Sequence, residues 1–352
     1  MRLASVGLAL LLASGARGAQ DSRARREAAL GLTLNLPATA TASARSRAVE
    51  DARRSGVSMF GLAVSWSEGE PAAGRYRVEE VTRTARLLRQ SGAVLHLDLP
   101  LVTAASRDVP TDLATRSFDD PALTIRLGRF LQALEPALLD FSTISLGHEA
   151  DSYFSEKPGE LRPFLRMLDG AVGFLGRRVP HLRAGVTTLA PSESRAPEIA
   201  AALHAKSPVL FYIYAPIGSG SAFAHRPPAD LDHDWKRLLD GARGRPIAFP
   251  EVSYSSASEN ASDPARQAEF VRRLRRAVAS ADGDRLLFAR YVPWRDPAPD
   301  QIPKTRGFSE AARRRTIFLA NRGLQLPDGR AKPAWVEWLR GGRAAAEGRI
   351  AR

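Results

Sequence analysis

The sequence predicts a single-domain (β/α)8 TIM barrel, and three observations carry that expectation. Eight apolar, strand-like segments alternate with helical ones between about residue 30 and residue 296. Several strand-like runs are nearly continuous in apolar residues, as parallel strands covered on both faces require. Polar residues gather where those runs meet loops, the end of a barrel that carries function. An open doubly wound sheet uses the same alternation; the count of eight favours the barrel.

In chain order the strand segments are Leu30–Pro37, Val57–Trp66, Ala93–Pro100, Phe141–Glu149, Arg183–Pro191, Val209–Pro216, Pro246–Tyr254 and Leu286–Trp294. The connecting segments read as helices. Asp120-Pro121 is an N-cap followed by proline at the first helical position, and Asp263-Pro264 repeats the signal. Behind the first, Leu123, Leu127, Phe130, Leu131 and Leu134 fall on one face; behind the second, Phe270, Val271, Leu274 and Val278 do. Val81, Ala85 and Leu88 mark a helix before Gly92, and Leu161, Leu165, Leu168 and Val172 mark one over Pro158–Arg178. The barrel is placed at residues 28–340, with no linker or second domain, and residues 341–352 as a flexible tail.

Composition excludes several classes of function. The hydrophobic fraction of 44% and charged fraction of 25% belong to a globular chain. With no cysteine there is no disulfide, thiolate metal site or cysteine nucleophile. Of 51 basic residues only five are lysine, and the net charge is +13. The densest runs, Arg272–Arg276 and Arg313–Arg315, lie in helical stretches without any nucleic-acid signature, so nucleic acid is not an expected partner. Attraction to acidic polymers remains open. Arg2, the apolar run Ala4–Ala13 and the small residues Ser14, Gly15, Ala16, Gly18 and Ala19 form a signal-peptide pattern over residues 1–19, with Arg17 among the small residues. The run is shorter than the roughly 20 residues a spanning helix needs. A secreted or periplasmic protein, with no stable membrane insertion after cleavage, is expected.

Two glutamates stand where chemistry is expected. The fourth strand runs out through Gly147-His148-Glu149, and the seventh through Phe249-Pro250-Glu251-Val252-Ser253-Tyr254. These strands lie across the barrel mouth from each other. Retaining glycoside hydrolysis needs one carboxyl to protonate the leaving oxygen and a second to attack the anomeric carbon. The plainer alternative is that each glutamate caps a strand or pairs with an arginine.

These positions resemble the clan A glycoside hydrolases, barrel enzymes with an acid/base glutamate after strand 4 and a nucleophile glutamate after strand 7. The endo-β-1,4-galactanase-like branch is the most similar. Further likenesses are Trp66-Ser67-Glu68-Gly69-Glu70-Pro71 with Gly74-Arg75-Tyr76, and Gly323-Leu324 with Asp328-Gly329 and Lys332-Pro333-Ala334-Trp335. The resemblance implies a secreted retaining hydrolase of β-linked oligo- or polysaccharides that needs no cofactor, with Glu149 as acid/base and Glu251 as nucleophile. It also implies Trp294 as a platform beneath the sugar. His148 departs from the Asn that holds the sugar 2-hydroxyl in that group, and it motivates the alternative of a carbohydrate-binding barrel without catalysis.

Other substrate-binding candidates come from strand ends. Tyr214 can orient the nucleophile by hydrogen bonding. Trp66 lines the cleft or packs in the core. Asp98 and His96 alternate along the third strand, facing the barrel mouth, and Asp151 contacts substrate or caps the next helix. The one local metal-like cluster, His225 and His233 with Asp230, Asp232 and Asp234, lacks ligand spacing, so no metal is expected.

Overall fold

The computed structural model describes residues 27–35, 41–218, 223–305 and 307–350. The expected signal peptide, residues 1–19, lies outside them.

Seven of the eight apolar segments form one strand each, and the fifth forms two. The strands are β1 (Ala29–Leu32), β2 (Met59–Ala63), β3 (Val94–Asp98), β4 (Thr143–Ser145), β5 (Arg183–Gly185), β6 (Thr187–Leu189), β7 (Leu210–Tyr214), β8 (Ile247–Val252) and β9 (Leu286–Tyr291). Their order is β5-β4-β3-β2-β1-β9-β8-β7-β6, and every neighbouring pair is parallel. β5 pairs with β4 and β6 with β7, so Val186, between them, joins the two edges into a nearly closed barrel. Gly185 permits this: a Cβ there would meet the Phe211 ring at 2.9 Å.

The cap signals hold locally. Asp120 accepts from Ala122 N at 2.8 Å and opens α4 (Pro121–Leu138), numbering the helices in chain order after α1 (Ala42–Arg54), α2 (Trp66–Gly69) and α3 (Glu79–Gln90). Next come α5 (Ala150–Glu156), α6 (Leu161–Arg178), α7 (Pro197–His204) and α8 (Asp230–Gly241). Asp263 caps α9 (Pro264–Ser280) through Arg266 N, and α10 (Glu310–Ala320) and α11 (Pro333–Ile350) follow. The expected faces of α4 and α9 are buried. On α6 the buried face is Phe164, Met167, Leu168, Ala171 and Leu175, so Leu161, Leu165 and Val172 flank it rather than form it. α11 continues past Gly341, where the flexible tail was placed; Ala344-Ala345-Ala346-Glu347 are strong helix formers.

The main core fills the space between sheet and helices, while a small inner cluster of Ala29, Met59, Val209, Phe211, Ala248 and Phe288 fills the barrel. His204 lies buried beneath the closure and donates from Nε2 to Val186 O at 3.0 Å. Burial holds its imidazole down at about 4. Since the unfolded chain protonates near 6.5, it binds the extra proton first as pH falls, and folding loses stability from about pH 6.5 downward. His204→Gln is therefore expected to flatten the loss between pH 6.5 and pH 4 by about 1.4 kcal/mol per pH unit in urea unfolding. An unchanged slope would mean that folded His204 takes up its proton freely.

Candidate active site

The barrel interior changes from apolar to charged towards the carboxyl ends of the strands. His96 sits 5.4 and 5.1 Å, centroid to centroid, from Phe211 and Phe288. Above it, Arg290 reaches across from β9 to Asp98, Nη2 to Oδ2 at 2.7 Å, and donates from Nε to Pro250 O at 2.6 Å. Asp98 also lies 3.0 Å from His96 Nε2. Burial opposes ionisation of Asp98, but Arg290 and then His96 hold its carboxyl well below the usual range. An ionised Asp98 only accepts, so His96 carries its proton on Nε2, and Nδ1 accepts from the Thr143 hydroxyl at 2.8 Å. Gly31 and Gly61 make room for the arginine. A Cβ on Gly61 would lie 1.5 Å from Arg290 Nη1.

Glu149 occupies the turn from β4 into α5 with φ 50° and ψ 40°, a left-handed conformation that strains a non-glycine residue. Its surroundings fix the turn. The Ser145 hydroxyl donates to Gly147 O at 2.7 Å, and His148 N donates to Val102 O at 2.9 Å. Asp151 accepts from Leu189 N and from the Ser194 hydroxyl, so it ties down the loop after β6 rather than capping α5. His148 Nε2 stands 4.0 Å from Glu149 Oε1 and 3.9 Å from Glu251 Oε2. One imidazole nitrogen thus lies between the two carboxyl groups that the sequence singled out.

Glu251, near the end of β8, receives Nη1 of Arg322 in a close ion pair. Arg322 went unnoticed in the sequence, although it immediately precedes the Gly323-Leu324 motif. It belongs to a strap that crosses the ends of β8 and β9. The Tyr291 hydroxyl donates to Arg322 O at 2.9 Å, Gly323 N donates to Asp296 Oδ1 at 2.7 Å, and Leu324 N and Gln325 N both donate to Trp294 O. Lys332 pairs with Asp296 at 2.5 Å and donates to Asn321 O. A Cβ on Gly323 would meet Asp296 N at 2.2 Å, so the strap passes here only as glycine.

The two carboxyl groups are shifted in opposite directions. Burial, opposed by His148 and reinforced by the nearby Glu251 charge, raises Glu149 above the ordinary carboxyl value. Burial also disfavours a charged Glu251, but Arg322, His148 and Arg290 together outweigh it and lower Glu251. Such a divergence assigns acid and base roles in hydrolytic carboxylate pairs.

Tyr214 and Trp294 lie elsewhere than proposed, and Trp66 takes the core alternative rather than the cleft. Tyr214 points out of the barrel, its hydroxyl donating to Asp234 at 2.9 Å and its ring stacking on Phe270, so it makes no bond to Glu251. Trp66 is fully buried, stacks on Phe130 and donates from Nε1 to Glu70 at 2.9 Å. Trp294 is 4% exposed, packed against Trp335 with the Arg295 guanidinium 4.6 Å from its ring centre, so no open face awaits a sugar. Among the described residues no cluster of three metal-ligating side chains occurs, and no helix is long and apolar enough to cross a membrane. His225 instead stacks on Tyr254 at 3.8 Å. A cavity of about 470 Å³ opens at the amino end of the barrel, beside Glu27, Ala29, Thr143 and Phe288, far from both glutamates. It is not the end at which barrels carry their chemistry.

No protein-family model matches the sequence, and no curated protein is significantly similar to it. Solved structures do match in shape. A GH5_18 protein from Streptomyces cattleya in complex with GlcNAc superposes with TM-score 0.68 at 17% identity, over 91% of this chain and 80% of that one. The exo-β-1,4-mannosidase Op5Man5 from Opitutaceae bacterium strain TAV5 gives 0.60 at 17% identity, over 93% and 61% of the two chains. The GH53 catalytic domain of Ignisphaera aggregans gives 0.59 at 15% identity, over 84% and 88%. At these identities the likeness establishes the TIM-barrel fold.

Gly61→Ala tests the crowded barrel interior. Displacing Arg290 is expected to cost about 1–3 kcal/mol, read as a lower urea midpoint. An unchanged midpoint would show that the arginine has another place to lie.

Proposed function

We propose that this protein is a retaining glycoside hydrolase acting on β-linked oligo- or polysaccharides, with Glu149 as acid/base and Glu251 as nucleophile. The observation that carries the reading is the pair itself. Two carboxyl groups from opposite sides of the mouth meet around His148, one with its proton affinity raised by burial and the other with it lowered by neighbouring cations. The neutral Glu149 gives its proton to the glycosidic oxygen while the Glu251 carboxylate attacks the anomeric carbon, forming a glycosyl ester and releasing the leaving sugar. Glu149, now a carboxylate, takes a proton from water. The resulting nucleophile attacks the same carbon and frees Glu251, so the configuration is retained. Arg322 serves both steps: it keeps Glu251 ionised for attack and stabilises it again as it leaves. His148 donates to the sugar 2-hydroxyl in place of the Asn of the similar enzymes. The signal-peptide-like pattern of residues 1–19 is consistent with action outside the cytoplasm.

One observation favours a second reading, a carbohydrate-binding barrel without turnover. The His148 imidazole stands between the carboxyls, where it can bridge them and exclude the reacting sugar. Reducing-end release from a panel of β-linked glycans separates the two readings. β-1,4-Mannosides belong in the panel because the structural neighbours include an exo-β-1,4-mannosidase. Release by the wild type, abolished at least about a thousand-fold in Glu251→Gln, is expected. Glycan binding by the wild type without release would establish the second reading.

Arg322→Met is expected to move the acidic limb of kcat/KM upward by about 1–3 pH units. The nucleophile must be ionised in the free enzyme, and an adjacent cation lowers a carboxyl by about that much. A profile that stays in place would remove Arg322 from the chemistry.

A further inference from the structure

Arg290 has a counterpart at the amino end of the barrel. There β3, β4 and β5 stand in register, His96 beside Thr143 and Thr143 beside Arg183. Register neighbours in a parallel sheet project to the same face. Thr143 faces the interior, since its hydroxyl reaches His96, which lies between Phe211 and Phe288 of the inner cluster. The next pair along, Ile144 and Ala184, belongs to the outer core. Arg183 is therefore directed inward with Thr143, and both line the cavity of about 470 Å³. The two inward arginines differ in their partners. Arg290 has Asp98 and the Pro250 carbonyl. Arg183 is half-buried, and its side chain makes no hydrogen bond or ion pair among the described residues. The acid on the cavity wall, Glu27, precedes β1, which stands across the barrel from β5 in the strand order.

We propose that this cavity binds a small organic carboxylate, with its head on Arg183 and its apolar body along the wall. A guanidinium fork matches a carboxylate with two parallel hydrogen bonds, a geometry that a neutral hydroxyl does not reproduce. His181, two residues earlier on the same wall, adds a second donor at the rim. The rest of the wall selects against a bare inorganic anion. Val94, Leu287 and Phe288 line it, the first two packed on the inner cluster and the third a member of it. An apolar body covers these side chains, and a cavity of this volume lies within the range of small-molecule sites. Exposed arginines elsewhere, such as Arg276, face water and need no partner. Arg183 differs because it is directed into a walled space. The site lies at the opposite end of the barrel from Glu149 and Glu251, so it stands apart from the hydrolase reading.

The test is a titration of the methyl-labelled protein, followed by NMR, with three probes: octanoate, 1-octanol and inorganic phosphate. Octanoate is expected to shift the Val94 and Leu287 methyl signals along a saturable curve, while those of Leu87, exposed on α3, stay in place. Octanol, which has the body without the charge, is expected to bind about ten-fold or more weakly. Phosphate, which has the charge without the body, is expected to leave these methyls unmoved. Arg183→Met is expected to bring octanoate down to the affinity of octanol, and Arg276→Met to leave it unchanged. No saturable shift at Val94 and Leu287, equal affinity for octanoate and octanol, binding of phosphate alone, shifts at Leu87 as large as those at the cavity, or a preference that survives Arg183→Met would each overturn the proposal. The wild-type comparison of octanoate with octanol stands even if Arg183→Met does not fold.

Discussion

The arginine inside the barrel sets the terms for much of the site. A buried guanidinium is tolerated only where its charge is answered and its donors are used. Arg290 meets that demand with Asp98 across the barrel and with the carbonyl of Pro250 next to Glu251. Its length then dictates what lies opposite. Gly61 has no side chain because the arginine fills the space where one would be, and at Gly31 that space is shared by Met59 and the base of the arginine side chain. Asp98 in turn fixes the tautomer of His96 and, through it, the orientation of Thr143 at the start of β4. Four strands are thus coupled by one polar chain, and the chain sits directly beneath the carboxyl pair.

The second cation reaches the site by a different route. Arg322 stands on a strap rather than a strand, and a strap is accurate only if its backbone is pinned. Here nearly every local polar group does so: Asp296, Lys332, Tyr291 and the carbonyl of Trp294 hold residues 321–325 in place. Trp294 is buried by this arrangement. Its ring packs against Trp335 of α11, and its carbonyl is the strap's anchor. The position implied for a sugar platform has become a structural support, and the closing Gly-Leu…Lys-Pro-Ala-Trp segment acts by aiming one arginine at Glu251.

The alternation of elements was legible because parallel strands and their covering helices leave a strong apolar rhythm, and the cap signals Asp120-Pro121 and Asp263-Pro264 are local chemistry. The split at Val186 was not legible, since an apolar run does not reveal which neighbour each half pairs with. Glu149 and Glu251 could be singled out because a carboxylate at the end of a buried run is costly without a purpose. The same argument would have found Arg290, a lone charge within Leu286–Tyr291. Tyr214 misled because one residue of register decides whether a strand side chain faces the mouth or the helices. Arg322 was hidden among 51 basic residues, and only its partner distinguishes it.

The two carboxyl groups owe their opposite shifts to neighbours of different kinds. Both are partly withdrawn from water, with side chains 25% and 15% exposed, so burial alone would raise the proton affinity of both. The difference is made by where fixed cations can reach. Glu251 lies in a rigid strand between two pinned arginines, whereas Glu149 sits on a strained turn at the start of a seven-residue helix, with no arginine bonded to it. His148, nearly equidistant from both, cannot create the asymmetry. The asymmetry comes from the barrel, which places arginines on the β8–β9 side and none bonded on the β4 side. A pair so arranged differs in proton affinity before any ligand arrives, and the proposed glycoside cleavage, with one carboxyl as acid and the other as nucleophile, would draw on that difference.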